Sequence, residues 1–419
     1  MLDAVVNAVP LSCVRTRLSK LSMAPKFTIQ QILLSNQNWW NFYQKNQHKI
    51  RPDITFCIIK LLSCKNTVLG YKEYHCSNQN CHHVKHIHFT CKCKACSSCG
   101  KKATELWIQK QNTLLPNTEW QHITFTMPQE LWDFFWLNRS LLNLIAKIAA
   151  KCIQNIAKKK KVIAGIFIAI HTFGRDLKRN VHIHLSTTTG GITKDGTKWK
   201  KLYFDQKNLM KMWRYEIIKL FRTFSQKSLA VPNAISKQLN NAFTFNQFLD
   251  GLYNKHWIVY CSKPSSDYKV NVNYLARYIK RPAIAESKLK HYDGHEVTFK
   301  YLDHTSKTYR KFKLTAEQFI ARLIQHIPDK GFRMIRYYGF LAQRVRGTLL
   351  PKVYTLLGQI PETRKPPSHA ELIQKSFGFD PLTCILCGQK LLLSKVQFCI
   401  YKTSQLLQFH QELALFKKI

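Results

Sequence analysis

The run Asn180-Val181-His182-Ile183-His184-Leu185-Ser186 alternates side chains with the period of a β-strand. Residues 162–170 before it are apolar and β-branched, and Thr187-Thr188-Thr189-Gly190-Gly191 follows, so the two stretches read as a hairpin. Val181, Ile183 and Leu185 then face a core, while His182 and His184 share the opposite face, one pleat apart. Two neutral imidazoles side by side on a rigid strand can hold one divalent cation. A strand with two solvent-exposed histidines satisfies the same spacing.

About ninety residues on stands Tyr274-Leu275-Ala276-Arg277-Tyr278-Ile279-Lys280-Arg281. On a helix, Tyr274 and Tyr278 at i, i+4 project from one face, and Arg277 and Arg281 flank it with positive charge. A phenol, with a pKa of about 10, is a poor nucleophile near neutrality. It attacks when a metal, a polarised phosphate or cationic neighbours assist it. Tyrosines, arginines and a two-histidine metal site together form a phosphodiester-cleaving set; core packing is the ordinary alternative for such a tyrosine pair.

The chain has 419 residues, 65 Lys+Arg against 23 Asp+Glu, and a formal net charge of +42. That imbalance calls for a polyanionic partner, nucleic acid before anionic membrane. No window reaches about 18 uninterrupted apolar residues, so no membrane-spanning helix is expected. Scarce acids also weigh against carboxylate-triad nuclease chemistry.

Eight of the 14 cysteines fall between Cys57 and Cys99, interleaved with His and Lys. That clustering favours zinc in a reducing compartment over disulfides. Cys96-x-x-Cys99, followed by Gly100 as a knuckle glycine freeing amides toward sulfur, is expected to pair with Cys76 and Cys81 around one zinc ion. Cys64 and Cys91 are candidates for a second ion. His86-Ile87-His88 reads as strand or zinc-site histidines, and Cys384-x-x-Cys387 has no evident second pair apart from Cys399.

The remaining pattern predicts helix over 28–49, strand over 120–127, helix over 131–157 ending in four lysines, helices over 206–249, a short strand at 257–260 and a helix over 315–327. The fold class is therefore α+β: an antiparallel sheet with helices against one face, preceded by a zinc-binding N-terminal domain. The division expected is 1–25 disordered extension, 26–105 helical and zinc-binding, 106–290 nuclease-like, 291–350 basic, and 351–419 linker and C-terminal segment. Within 331–347, Arg333, Arg336, Arg344 and Arg346 alternate with Phe332, Tyr337, Tyr338 and Phe340, which suits stacking on unpaired bases and contact with phosphates.

With the cysteine block, Thr124-Phe125-Thr126-Met127-Pro128, the histidine strand and the tyrosine helix in this order, the chain resembles the rolling-circle transposases of the insertion sequence ninety-one type, members of the HUH endonuclease superfamily. The resemblance runs from about Lys26 to Lys390, and takes in residues 332–347 and 380–388. It implies that His182 and His184 hold Mg²⁺ or Mn²⁺ on the scissile phosphate. It also implies that Tyr274 and Tyr278 are nucleophiles forming 5′-phosphotyrosines on single-stranded DNA. Charge and position, apart from the resemblance, make Arg277, Arg281, Arg333 and Arg336 the candidates for contacting that DNA, with Arg277 or Arg281 offsetting charge in the transition state. A third protein ligand is implied, for which His122 and Asn273 are the candidates. The place of action would be the cytoplasm, at the nucleoid. A zinc-dependent DNA-binding protein with an inert nuclease centre, and a rolling-circle replication initiator or relaxase, remain as alternatives.

Overall fold

The apolar run ahead of the paired histidines is a central strand covered on both sides. In this computed structural model, which describes residues 27–224, 228–303, 306–362, 365–398 and 402–416, that run is β4 (Val162–Phe173). The expected extension over 1–25 lies outside the described residues, as does Cys399. β4 pairs antiparallel with β5 (Arg179–Thr193), β5 with β3 (Trp120–Phe125), and β3 with β7 (Val259–Cys261). β11 (Ile335–Gly339) closes the other edge on β4, and the short β6 (Trp199–Lys201) adds to β5.

Helices cover both faces of this sheet, not one as the sequence suggested. α6 (Leu141–Lys159) and α7 (Gln206–Thr223) bury Ile145, Ile153, Trp213 and Ile217 against Val181, Ile183, Leu185 and Ile168. On the other face, α9 (Tyr268–Lys280) sets Val272, Leu275 and Ala276 against Phe167, Ala169 and Trp120. Behind it α4 (Ser97–Leu114) contributes Trp107. A strand buried on both faces gains from apolar residues at every position, which explains the unbroken run. The predicted helix over 131–157 is two helices, α5 (Trp132–Leu137) and α6, separated at Asn138, whose φ and ψ are −113° and 67°.

The predicted helix over 28–49 also breaks. Asn36 and Gln37 take positive φ (49° and 53°), separating α1 (Ile29–Leu34) from α2 (Asn38–Asn46). With α3 (Pro52–Leu62) they bury Ile29, Trp39 and Ile58. The rest of that core arrives from far along the chain. Phe299 of β9 (Glu296–Leu302), Leu314 of β10 (Tyr309–Thr315) and Phe319 of α10 (Ala316–Ile324) fill it, and β8 (Leu289–Tyr292) completes the β10-β9-β8 sheet. A third sheet joins β1 (Gly70–Cys76) and β2 (Val84–His88) to β12 (Leu391–Phe398) from the C-terminal part. No helix among the described residues is long and apolar enough to cross a membrane.

Candidate active site

Cross-strand partners in a sheet point the same way, and here the register gathers histidines. His171 of β4 lies opposite His182 of β5, and Thr124 of β3 lies opposite His184. With His122 they occupy the face turned toward α9. One ring nitrogen from each of His171, His182 and His184 lies within 4.8 Å of the others. Nδ1–H of His182 donates to the Asn180 carbonyl (2.9 Å), which leaves its Nε2 as a lone-pair atom, 3.1 Å from Nε2 of His184. On the far side of the His184 ring, Nδ1 is 3.1 Å from Nε2 of His122, and the Thr124 hydroxyl is 3.2 Å from that same His122 nitrogen.

Burial, followed by the charges of His182 and His122, pushes His184 well below the ordinary imidazole value. Burial pushes His122 down to about 4. Both rings are therefore neutral at pH 7, the form that offers a lone pair to a cation. The set fits a divalent metal: three imidazoles converge, and one carries a hydrogen bond that fixes its tautomer.

His171, 1% exposed, was absent from the sequence-based candidates. Asn273 is exposed on α9, while His122 touches His184 from behind. The signal was present: His171 falls opposite His182 once the strand is carried a single residue past Ile170.

α9 begins at Asp267, whose side chain accepts from the Lys269 amide, and its apolar stripe Val272, Leu275, Ala276 and Ile279 fixes which face meets the sheet. Tyr274 lies off that stripe, 38% exposed. Its ring is 5.1 Å from that of His122 and 6.0 Å from that of His184. Residues far apart in sequence thus meet because α9 crosses β3 and β4. Arg277 and Tyr278 are in the same helix, but their side chains lie outside the described residues. Arg281 is half-buried at the C-terminal cap.

The other two basic candidates border a cavity of about 770 Å³ alongside β11. Arg333 is exposed there, whereas Arg336 is half-buried and bonded to Asn143, including its carbonyl at 3.2 Å. Lys110, Arg139 and Arg346 add positive charge, with Phe332 and Tyr338 in the wall. Lys94 reaches over from the cysteine block to Met334 (2.6 Å), beside the end of β4. Burial, then Lys280, pushes its ammonium down to about 7.

The thiols form two groups, and their pairing corrects the expected one. Cys96 and Cys99 join Cys64 and Cys91, while Cys76 and Cys81 join Cys384 and Cys387. The first set closes because Cys64 follows α3 and Cys91 follows β2, both packed at the start of α4; Cys76 and Cys81 lie at the far end of the β1–β2 hairpin. Sulfur separations in the first set are 3.6 to 3.8 Å. Cys93 stays outside both groups and donates to the Cys57 carbonyl. His86 also stays outside, 2.9 Å from Glu73. Gly100 has a different job from the one its knuckle position suggested. Its amide is in the helical bond to the Cys96 carbonyl, and a Cβ there would stand 2.9 Å from the Lys280 carbonyl oxygen. It lets α4 approach the end of α9.

Comparison with known proteins bears on the same residues. Residues 165–348 match a family described as "Putative transposase", and residues 35–127 match the IS91-type "Transposase zinc-binding domain". The chain is 38% identical over 376 residues to "Transposase for insertion sequence element IS801" of Pseudomonas savastanoi pv. phaseolicola, covering 88% of this chain and 91% of that protein. It is 26% identical over 340 residues to "Putative transposase y4qJ" of Sinorhizobium fredii, covering 78% and 85% respectively. No solved structure gives a significant match.

Proposed function

Because the chain belongs to the IS91 family of transposases, we propose that it cuts and rejoins single-stranded DNA through a phosphotyrosine, with Tyr274 as a nucleophile. The observation that carries this is the position of the Tyr274 ring against His122 and His184. The Tyr274 oxygen attacks the scissile phosphorus, the bond from phosphorus to the 3′ oxygen breaks, and the phenolic proton passes to the departing 3′ hydroxyl. The DNA 5′ end stays linked to the tyrosine, so a later 3′ hydroxyl can reverse the step without an external energy source.

His171, His182 and His184 would hold Mg²⁺ or Mn²⁺, which when bound polarises the phosphate and orients it. An all-imidazole set suits Mn²⁺ better than the harder Mg²⁺ and leaves positions for phosphate oxygen and water. His122 is a positioning residue: it holds the outer nitrogen of His184. Tyr278, one helical turn beyond Tyr274, is the second nucleophile, which allows a second strand to be cut while the first stays attached. Arg333 and its neighbours along β11 would carry the single strand, combining phosphate contacts with stacking surfaces. The Cys64, Cys91, Cys96 and Cys99 group is the structural zinc site of the N-terminal domain. The protein would act in the cytoplasm, on DNA at the nucleoid.

The test is to incubate the protein with Mn²⁺ or Mg²⁺ and a single-stranded oligonucleotide from the element's end. The expected product is a covalent adduct that survives detergent and maps to Tyr274 or Tyr278. Salt-sensitive binding with no adduct under either metal would replace this reading with that of a DNA-binding protein whose centre is inert.

A further inference from the structure

The second thiol group draws its two pairs from opposite ends of the chain, and Cys384 and Cys387 lie beyond both matched family regions. We propose that Cys76, Cys81, Cys384 and Cys387 hold one zinc ion that clasps the C-terminal segment onto the β1–β2 hairpin.

Zinc bound to four sulfurs at about 2.3 Å sets sulfur–sulfur edges of about 3.8 Å. Cys81 and Cys384 are 3.8 Å apart, and Cys76 and Cys387 are 3.3 Å apart. Each pair sits in a tight turn. The Cys81 amide donates to the Asn78 carbonyl (2.9 Å), and the Gly388 amide donates to that of Cys384 (3.0 Å), with Gly388 at φ +76°. His83 Nδ1 lies 3.1 Å from the Cys384 sulfur, a polar contact of the kind that orients metal ligands.

Little else can hold this corner. β12 pairs with β1 along Gly70–Cys76, yet among the described residues the buried apolar core beneath is Tyr74, Cys384 and Leu391, with Ile87 and Leu382 half-buried beside it. Leu392, Leu393 and Phe398 are exposed. A core that small needs a staple. The docked segment matters to the rest of the chain, because α12 (His369–Phe377) packs on α4, the helix beneath α9. α13 (Thr403–Phe416) packs on α3, where Ser63 meets His410 at 2.7 Å. Cys387 is exposed, whereas Cys64, Cys91 and Cys99 of the first group are buried, so a chelator reaches the clasp first.

Full-length protein loaded with zinc and desalted provides the test, alongside Cys384→Ser/Cys387→Ser and Cys387→His, which keeps a zinc ligand. Metal analysis should find one zinc fewer per chain in the double variant and the wild-type number in Cys387→His. Hydrogen exchange should show residues 391–398 protected in the wild type and in Cys387→His. The same residues should exchange rapidly in the double variant and in mildly chelated wild type. Residues 181–193 of the central sheet should stay protected throughout, which controls for global unfolding. Equal zinc in wild type and double variant would overturn the clasp, as would a zinc-depleted double variant with 391–398 still protected. Four thiols missing from a denaturing titration of metal-free wild type would assign these cysteines to disulfides and overturn it as well.

Discussion

The rings of Tyr274 and His184 stand nearly perpendicular, at 72°, with centroids 6.0 Å apart. Helix and sheet thus present a phenol and a metal-type imidazole to one small volume. If Tyr274 makes the first attack, Tyr274→Phe alone removes the first-cut adduct, by about a thousandfold or more in rate. Single-strand affinity should stay near wild type, since only a hydroxyl is lost. Single-turnover kinetics on a 3′-labelled oligonucleotide, whose label stays with the tyrosine-linked fragment, measure this. An unchanged adduct in Tyr274→Phe with its loss in Tyr278→Phe would give the first step to the other tyrosine.

His122 and His171 should fail differently. His171→Ala removes a ring from the three-nitrogen set, so added Mn²⁺ should restore little activity. His122→Ala leaves that set intact and removes a partner of the outer His184 nitrogen, 3.1 Å away, along with a ring beside Tyr274. Loss of such a partner costs about 10- to 100-fold in metal affinity or activity. High Mn²⁺ should therefore recover much of the His122→Ala rate. Cleavage rates titrated against Mn²⁺ separate the two, and identical titration curves would refute the distinction.

Gly100→Ala tests the seam between the thiol group and the tyrosine helix. The added methyl meets backbone, the Lys280 carbonyl at 2.9 Å and Arg281 Cα at 3.0 Å, so neither neighbour can rotate away. Overpacking of this kind costs about 1–3 kcal/mol. Denaturant unfolding should register that loss, and adduct formation should fall further because α9 is displaced. A fully stable, fully active variant would contradict the packing role.

Much of this site was legible from alternation alone. Period two placed His182 and His184 on one face of β5 and Val181, Ile183 and Leu185 on the other, and the helix at Tyr274 follows from its apolar stripe. The misses have local causes. Ending β4 at Ile170 stopped one residue short of His171. The unbroken apolar run of β4 fits a sheet covered on both faces, whereas helices against one face were expected. The thiol pairing depended on contacts between Cys76 and Cys387, 311 positions apart, which spacing within one block cannot encode. The break at Asn36–Gln37 needed two non-glycine residues at positive φ, which propensity argues against.

Arg333 and Arg336 should separate binding from bracing. Arg333 is exposed at the cavity, so Arg333→Ala should weaken single-strand binding and lower the slope of affinity against log salt by about 1, with stability unchanged. Arg336 is bonded to Asn143 at the start of α6 and to the Arg333 carbonyl (3.3 Å), so its loss should lower stability as well as binding. Salt-dependent anisotropy titrations with thermal melts measure both, and equal melts for the two variants would remove the bracing role.

His326 makes stability depend on acid. It is 7% exposed, its Nε2–H donates to the Leu177 carbonyl (3.0 Å), and its Nδ1 lies 3.2 Å from the Thr172 hydroxyl. Burial first, then the charges of Lys94, Arg139 and Arg179, pushes it down to about 4 despite the bond to Leu177. An unfolded histidine takes a proton near pH 6.5, whereas the folded one resists until about pH 4. The stabilisation is therefore complete above pH 6.5 and drains away as pH falls toward 4, with roughly 2 kcal/mol lost by pH 5. His326→Gln should be less stable than wild type at pH 7, and the gap should narrow by about that amount at pH 5. Urea unfolding of both proteins at the two pH values checks this. Because only the difference between the proteins is compared, the contributions of His122 and His184 cancel to the extent that the sites are independent. A gap that holds constant or widens on acidification would show that His326 is not the group whose proton uptake is being resisted.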